Sequence, residues 1–437
     1  MKFPRPDLNS MGLCISALIF LVLGGRYVFH STIDLVNVYS GARCLINGCN
    51  PYDTTQLDEQ YTQAGGKPDE RLPWYREVPM YPPSTFLVLT PLTLLRFQAA
   101  RVLWYLLNGS LFIISAVLVF SLCPRSHRWL ATILVALILA SSGTTLVLGN
   151  PAFFAISLLI IGTYLFLRGR FLPLGTFLLM LSLAVKPPIG GLIVLYFLVR
   201  GIHRRYAAAA VAGALALLLC AGVILSLHPR SADWPSTLRT NISQAEEPGG
   251  VNDFRPNDKE GYYFVNLQAV TSVFFTDARE FNAVAWAIFL VLFAVWVAAV
   301  LRTNPNQEAQ FLLIGSLAVL SLMPVYHRFY DARLLLISIP AVVVVYQRQR
   351  ILGALIGALT LLAVISVQSR VQLFLEQHSL WQNILQTKFL FVLLLRQQNL
   401  ALPILFCAYM VAIFSLRFSG AAAKGDSSAL STEGSLH

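Results

Sequence analysis

Long apolar runs separated by short polar breaks recur from one end of the chain to the other. Read as spans they fall near 11–29, 99–121, 129–148, 151–168, 171–185, 187–199, 206–228, 281–301, 309–324, 333–346, 351–368 and 398–416. The runs lack the strict alternation of a lipid-facing strand, and lipid admits only helices or closed barrels. The pattern therefore predicts an all-α polytopic membrane protein with about twelve transmembrane helices and two large outer loops. The first run follows a weakly basic start (Lys2, Arg5) and has no small-residue cleavage site, so it reads as a span and not a signal peptide. Residues 1–418 form one transmembrane domain with outer loops at 30–98 and 229–280, and 419–437 form a small, polar, disordered tail.

Four stretches depart from simple spans. Pro82 to Leu95 is apolar but too short to cross, which takes about 20 residues, and reads as a re-entrant or interfacial element. The runs 171–185 and 187–199 meet at Lys186-Pro187-Pro188 and predict a broken helical hairpin with Lys186 near its outer tip. Residues 33–46 predict a helix lying near the membrane surface. Residues 371–385, with Leu373, Leu375, Leu380, Trp381 and Ile384, predict an amphipathic segment in the outer interface.

Composition agrees with a lipid environment. Of 437 residues 56% are hydrophobic and 12% charged, about half the charged fraction of soluble domains. The net charge is +11, but the basic residues stand singly between spans and read as topology signals, so nucleic-acid binding is set aside. The acids are clustered: 15 of 21 lie in 30–98 and 229–280, which places both loops on one, non-cytoplasmic side. Cys44 and Cys49 flank an Asn47-Gly48 turn there and are a candidate disulfide; Cys14, Cys123, Cys220 and Cys407 sit in or beside apolar runs and read as buried small hydrophobes.

The candidate chemistry sits at the outer ends of spans. Asp34 follows the first span within about a turn of the surface, where a carboxylate reaches a lipid headgroup; a helix-capping role is the alternative. Tyr39 lies in the same helix. Tyr81, opening Tyr81-Pro82-Pro83, either shapes a substrate groove or joins Trp74 and Tyr75 as an interfacial anchor. Lys186 is the one lysine flanked by long apolar runs on both sides, suited to a phosphate or to snorkelling. In Tyr326-His327-Arg328-Phe329-Tyr330-Asp331, His327 and Arg328 are candidate phosphate ligands, with Tyr326 and Asp331 beside them; an Arg328–Asp331 surface pair is the alternative. Asn150, in Gly149-Asn150-Pro151, and Asn266 with Gln268 are lesser candidates. There is no phosphate-binding P-loop, no dinucleotide fingerprint and no His/Cys metal spacing.

An Asp after the first span, Asn50-Pro51-Tyr52, Tyr81-Pro82-Pro83 leading to Pro91-Leu92, Gly149-Asn150-Pro151, Lys186-Pro187-Pro188 and a late His327 together resemble glycosyltransferase family 87 of the GT-C superfamily, over about residues 12 to 345. That family includes polyprenol-phosphate-mannose-dependent α-mannosyltransferases. The resemblance implies a polyprenyl-phosphate sugar donor taken from the lipid bilayer, a glycan or glycolipid acceptor on the outer face, and transfer of one sugar with inversion. Asp34 matches the family's loop carboxylate, the general base; Lys186 and His327 match its Lys-Pro lysine and late histidine. Asn150 stands where the family usually has Gln. Many outer-face members of the superfamily use a divalent metal. This chain has no compact Asp-x-Asp pair, so no cofactor is expected. The competing functions are a lipid-linked glycan flippase or transporter, which predicts inverted repeats and mid-membrane coupling acids that are not found; an oligosaccharide ligase; and a non-catalytic scaffold. The expected location is a bacterial plasma membrane with the site facing the periplasm or exterior.

Overall fold

The computed structural model describes residues 8–26, 33–67, 79–256, 261, 263–304, 306–365, 368–378 and 387–429. Among them the regular elements are helical, with one isolated antiparallel bridge between Phe264 and Arg328. Trp74, Tyr75 and residues 379–386 of the expected interfacial segment lie outside the described residues.

Among the described residues six helices are long and apolar enough to cross a bilayer: α1 (Leu8–Gly25), α5 (Phe97–Leu122), α8 (Pro151–Arg168), α11 (Arg204–Leu227), α14 (Ala278–Arg302) and the apolar part, Gln397–Ser415, of α20 (Gln397–Ala429). Most of α8 (78%) is buried, against 17% of α1 and α11 and 28% of α14, so α8 is central and those three face outward. The chain is an all-α membrane protein. Exposed apolar side chains such as Leu18, Leu219 and Val291 are what a lipid-facing surface requires. Cys123 is buried as expected, but Cys14, Cys220 and Cys407 are exposed on such outward faces.

The remaining expected spans are shorter or broken, each for a local reason. The run 129–148 splits into α6 (Arg128–Ser141) and α7 (Gly143–Leu148) at Ser142. Buried Arg333 satisfies the break: its Nη2 donates to the Ser141 carbonyl at 2.6 Å, and its Nη1 to those of Phe329 and Val364 at 2.7 and 2.8 Å. The run 333–346 opens as a 3₁₀ helix, Asp331–Ser338, before α16 (Ile339–Arg348), where Pro340 removes a backbone donor. Helices α15 (Gln307–Ser321) and α17 (Arg350–Val364) complete the core with α8. Helices α18 (Gln368–Gln377) and α19 (Lys388–Leu395) pack beside α13 (Gln268–Phe274). The last helix runs on through Ala421-Ala422-Ala423, strong helix formers, into the segment expected as a disordered tail.

A second apolar core joins the outer elements to the bundle. Helices α2 (Ile33–Asn47) and α4 (Pro83–Leu89), with a 3₁₀ turn at Thr90–Leu94, share it with α5, α8 and α11. Residues 83–94 would rise only about 18 Å, short of a roughly 30 Å hydrocarbon layer. Gly41 is where α2 meets α4: a Cβ there would run into the Phe86 ring. The two outer loops are also bonded to each other. Asn50 Nδ2 donates to Asp233 and Thr237, and Asn241 Nδ2 donates to the carbonyls of Tyr52 and Pro79 at 2.9 and 3.1 Å. Asn241 belongs to α12 (Trp234–Glu246), so this pair of bonds fixes α12 against the first loop. Helix α3 (Thr54–Gln63) is capped by Asp53. Cys44 and Cys49 are disulfide-bonded at the end of α2.

Candidate active site

Three helix junctions converge on one cavity of about 270 Å³, lined among others by Asp34, Tyr81, Asn150, Lys186, Tyr326 and Arg328. Each junction follows from its local sequence.

Gly149-Asn150-Pro151 builds the first. Gly149 adopts a left-handed conformation (φ 69°) that ends α7, and its carbonyl accepts from Trp104 Nε1 at 2.8 Å. Asn150 caps α8, its Oδ1 accepting from the Ala152 N–H at 2.8 Å, and Pro151 takes the first turn, where no N–H is needed. The other end of the same amide donates to Asp34 Oδ2 at 3.0 Å and lies 3.3 Å from the Tyr81 hydroxyl. One residue thus starts a central helix and orients Asp34.

Lys186 forms the second. It ends α9 (Leu172–Val185) and precedes α10 (Pro187–Arg200), and Pro187 and Pro188 enforce the break. The last carbonyls of α9 lose their helical partners there. Ser84 and Thr85 of α4 replace them, their hydroxyls donating to the carbonyls of Ala184 and Val185 at 2.6 and 2.8 Å. The segment Tyr81–Thr85 therefore supports the lysine junction as well as lining the cavity.

The third junction is the turn from 326 to 331. Asp331 is fully buried and accepts Lys186 Nζ on both oxygens, at 2.7 and 2.8 Å. It also accepts His327 Nδ1 and the Arg328 N–H, both at 3.1 Å. The Asp331 partner is thus Lys186, not the Arg328 side chain. Arg328 bonds instead to the Tyr326 hydroxyl and the Val251 carbonyl. Burial alone would raise the Asp331 carboxyl; Lys186 and His327 outweigh it and hold it below its ordinary value. Lys186 has three donors, two spent on Asp331, and its ammonium also lies 5.3 Å from the Tyr330 ring centroid.

Asp34 is shifted the other way. Desolvation raises its carboxyl above the ordinary value of 3.8, and the Asn150 hydrogen bond and the charges of Arg328 and Lys186 only partly offset it. A carboxylate with raised basicity, within electrostatic reach of two cations in one cavity, is an arrangement for moving a proton beside a developing anion.

Other sequence candidates lie off the cavity lining. Tyr39 donates to the Leu95 carbonyl at 2.6 Å and packs edge-on to Phe97. Asn266 and Gln268 brace α13 against the carbonyls of Val325 and Pro324. His327 stands behind Asp331 with no exposed surface, and its Nε2 has no hydrogen-bond partner among the described residues. Conversely Asn37, Ile242, Glu246 and Asn252 line the cavity and were not singled out in the sequence, while Tyr330 lines it from within the Tyr326–Asp331 run already noted. Asn37 was readable, one helical turn after Asp34; the others carried no signal apart from their loop. Among the described residues no three His, Cys, Asp or Glu side chains gather as a metal site.

Fold and site define a class: a helical membrane protein whose cavity, at the helix ends, pairs a carboxylate with cations. The chain belongs to glycosyltransferase family 87, whose family model matches residues 80–324, more than half its length. No curated protein and no solved structure matches it. The matched stretch contains Tyr81, Asn150 and Lys186; Asp34, His327, Arg328 and Asp331 lie outside it and come to the same place through the fold. The protein is thus a membrane glycosyltransferase.

Proposed function

We propose that it transfers a single sugar from a polyprenyl phosphate to a glycan or glycolipid acceptor on the outer face of the membrane. The observation that carries this reading is the cavity in which Asp34 faces Lys186 and Arg328. A sugar phosphate already has a competent leaving group, so catalysis needs charge stabilisation there and a base for the acceptor. The acceptor hydroxyl attacks the anomeric carbon and gives its proton to Asp34. The bond from that carbon to the phosphate oxygen breaks, and polyprenyl phosphate leaves toward Lys186 and Arg328. One displacement inverts the anomeric centre.

Asp331 and His327 act on Lys186 and not on the substrate. Asp331 holds the ammonium at the cavity wall by two hydrogen bonds, and His327 steadies Asp331 from behind. At about 270 Å³ the cavity falls just below the roughly 300–1,000 Å³ of small-ligand pockets, which favours a monosaccharide phosphate over the whole-glycan transfer of a ligase. The Cys44–Cys49 bond favours an oxidising, non-cytoplasmic face for the first loop. Mannose is the sugar suggested by the resemblance, and a bacterial plasma membrane the location.

The test is donor use. Purified protein is offered a panel of polyprenyl-phosphate sugars with membrane lipid acceptors, and products are read by mass spectrometry. Transfer from one such donor, with inverted configuration, is expected. Activity only with nucleotide sugars, or only with pyrophosphate-linked glycans, would overturn the donor assignment.

A further inference from the structure

The cavity has a second wall with a different character. Glu246 ends α12, and Ile242 stands one turn before it on the same face; both line the cavity. Asn241, bonded to the Tyr52 and Pro79 carbonyls, fixes that face. The chain then folds back so that the Asn252 N–H donates to the Ala245 carbonyl at 2.8 Å. This sets the Asn252 side chain into the same cavity, with only 7% of the residue exposed. Its amide nitrogen meets the Met80 sulfur at 3.5 Å, and its Oδ1 is buried with no hydrogen-bond partner among the described residues. A buried amide oxygen without a partner is left unsatisfied at a cost to the fold. On this wall it stands beside a carboxylate, another group that only accepts.

We propose that Glu246 and Asn252 form the acceptor subsite and recognise hydroxyl groups of a neutral sugar. This rests on the transferase reading above and adds which wall holds which substrate. Two hydrogen-bond acceptors demand donors, and a sugar edge presents adjacent hydroxyls. The donor phosphate is the poorer occupant, because a carboxylate repels it, while Lys186 and Arg328 attract it to another part of the lining. The acceptor has to place one hydroxyl at Asp34 and be gripped elsewhere. Glu246 is exposed at the rim as well as lining the cavity, which suits a group entering from the aqueous side.

Steady-state kinetics of the full-length protein with both substrates varied provide the test, on Glu246→Gln, Asn252→Leu and wild type, with thermal midpoints in detergent as the folding control. Expected for each variant is a rise in acceptor KM of about tenfold, one lost hydrogen bond to a buried or charged group. Donor KM and kcat should move far less. A larger rise in donor KM would place the donor sugar on this wall and overturn the proposal. Collapse of kcat in Glu246→Gln at unchanged acceptor KM would make Glu246 the base and overturn it equally. Kinetics matching wild type in both variants would show that the wall binds nothing, while the transferase reading would stand. A wild type inactive with every polyprenyl-phosphate sugar would remove the donor assignment and this proposal with it.

Discussion

Asp34 and Asp331 are two buried-site carboxylates with opposite tuning, which matches the different roles proposed for them. Asp331 accepts four hydrogen bonds and is held as an anion. Asp34 accepts one from a side chain, from Asn150, and is left basic by desolvation. For an acid, a raised folded-state pKa means that ionisation opposes folding: the penalty is present at neutral pH and relieved as pH falls through the raised pKa. Asp34→Asn is therefore expected to keep or raise the thermal midpoint at pH 7 while activity falls about 10²–10⁴-fold. The acid limb of kcat/KM should fall through a pKa above the ordinary 3.8. Asp331→Asn should behave oppositely. Its carboxylate stabilises the fold above its unfolded pKa and loses that contribution as pH falls. Removing the charge at pH 7 strands Lys186 and is expected to cost about 3–5 kcal/mol, read as a lowered midpoint.

At the scale of elements, short junctions position the chemistry more than long helices do. Gly149 is a sharp test because it does not itself line the cavity. Its left-handed φ of 69° penalises any Cβ, and one added there would approach the Leu35 Cβ at 3.0 Å. Gly149→Ala is expected to cost roughly 1–2 kcal/mol. It should also lower kcat by displacing α2 and Asp34 from Asn150, with donor KM little changed. Thr85→Val leaves the Val185 carbonyl unpaired next to Lys186 and should cost about 1–3 kcal/mol. These junctions were partly legible in the sequence. Lys186-Pro187-Pro188 announces a break by missing donors, and the helix at 33–46 is nearly the observed Ile33–Asn47. The break at Ser142 was not legible, since the partner that satisfies it, Arg333, is 191 residues away in sequence.

Across the whole molecule, the same distance separates what the sequence discloses from what it conceals. Ionisable residues at the ends of apolar runs, Asp34, Lys186 and Arg328, stand out because lipid makes them costly, and all three line the cavity. The pairing of Lys186 with Asp331 spans 145 residues, and nothing in either segment announces it. Glu246 and Asn252 lie in a polar loop where acids and amides are ordinary, so only the fold could bring them to Asp34. The acid-rich loops, bonded together through Asn50 and Asn241, predict a single outer face. Cysteine labelling in intact cells checks it: Ser236→Cys should react with an impermeant maleimide, and Arg205→Cys only after permeabilisation.

The most direct test of the central claim compares wild type with Asp34→Asn in single-turnover sugar transfer, after both are shown to be equally folded. The account predicts that the variant binds the polyprenyl-phosphate sugar normally and transfers it at least a hundredfold more slowly. A variant that transfers as fast as wild type would contradict it, leaving Asp34 as a structural group and the cavity without its base.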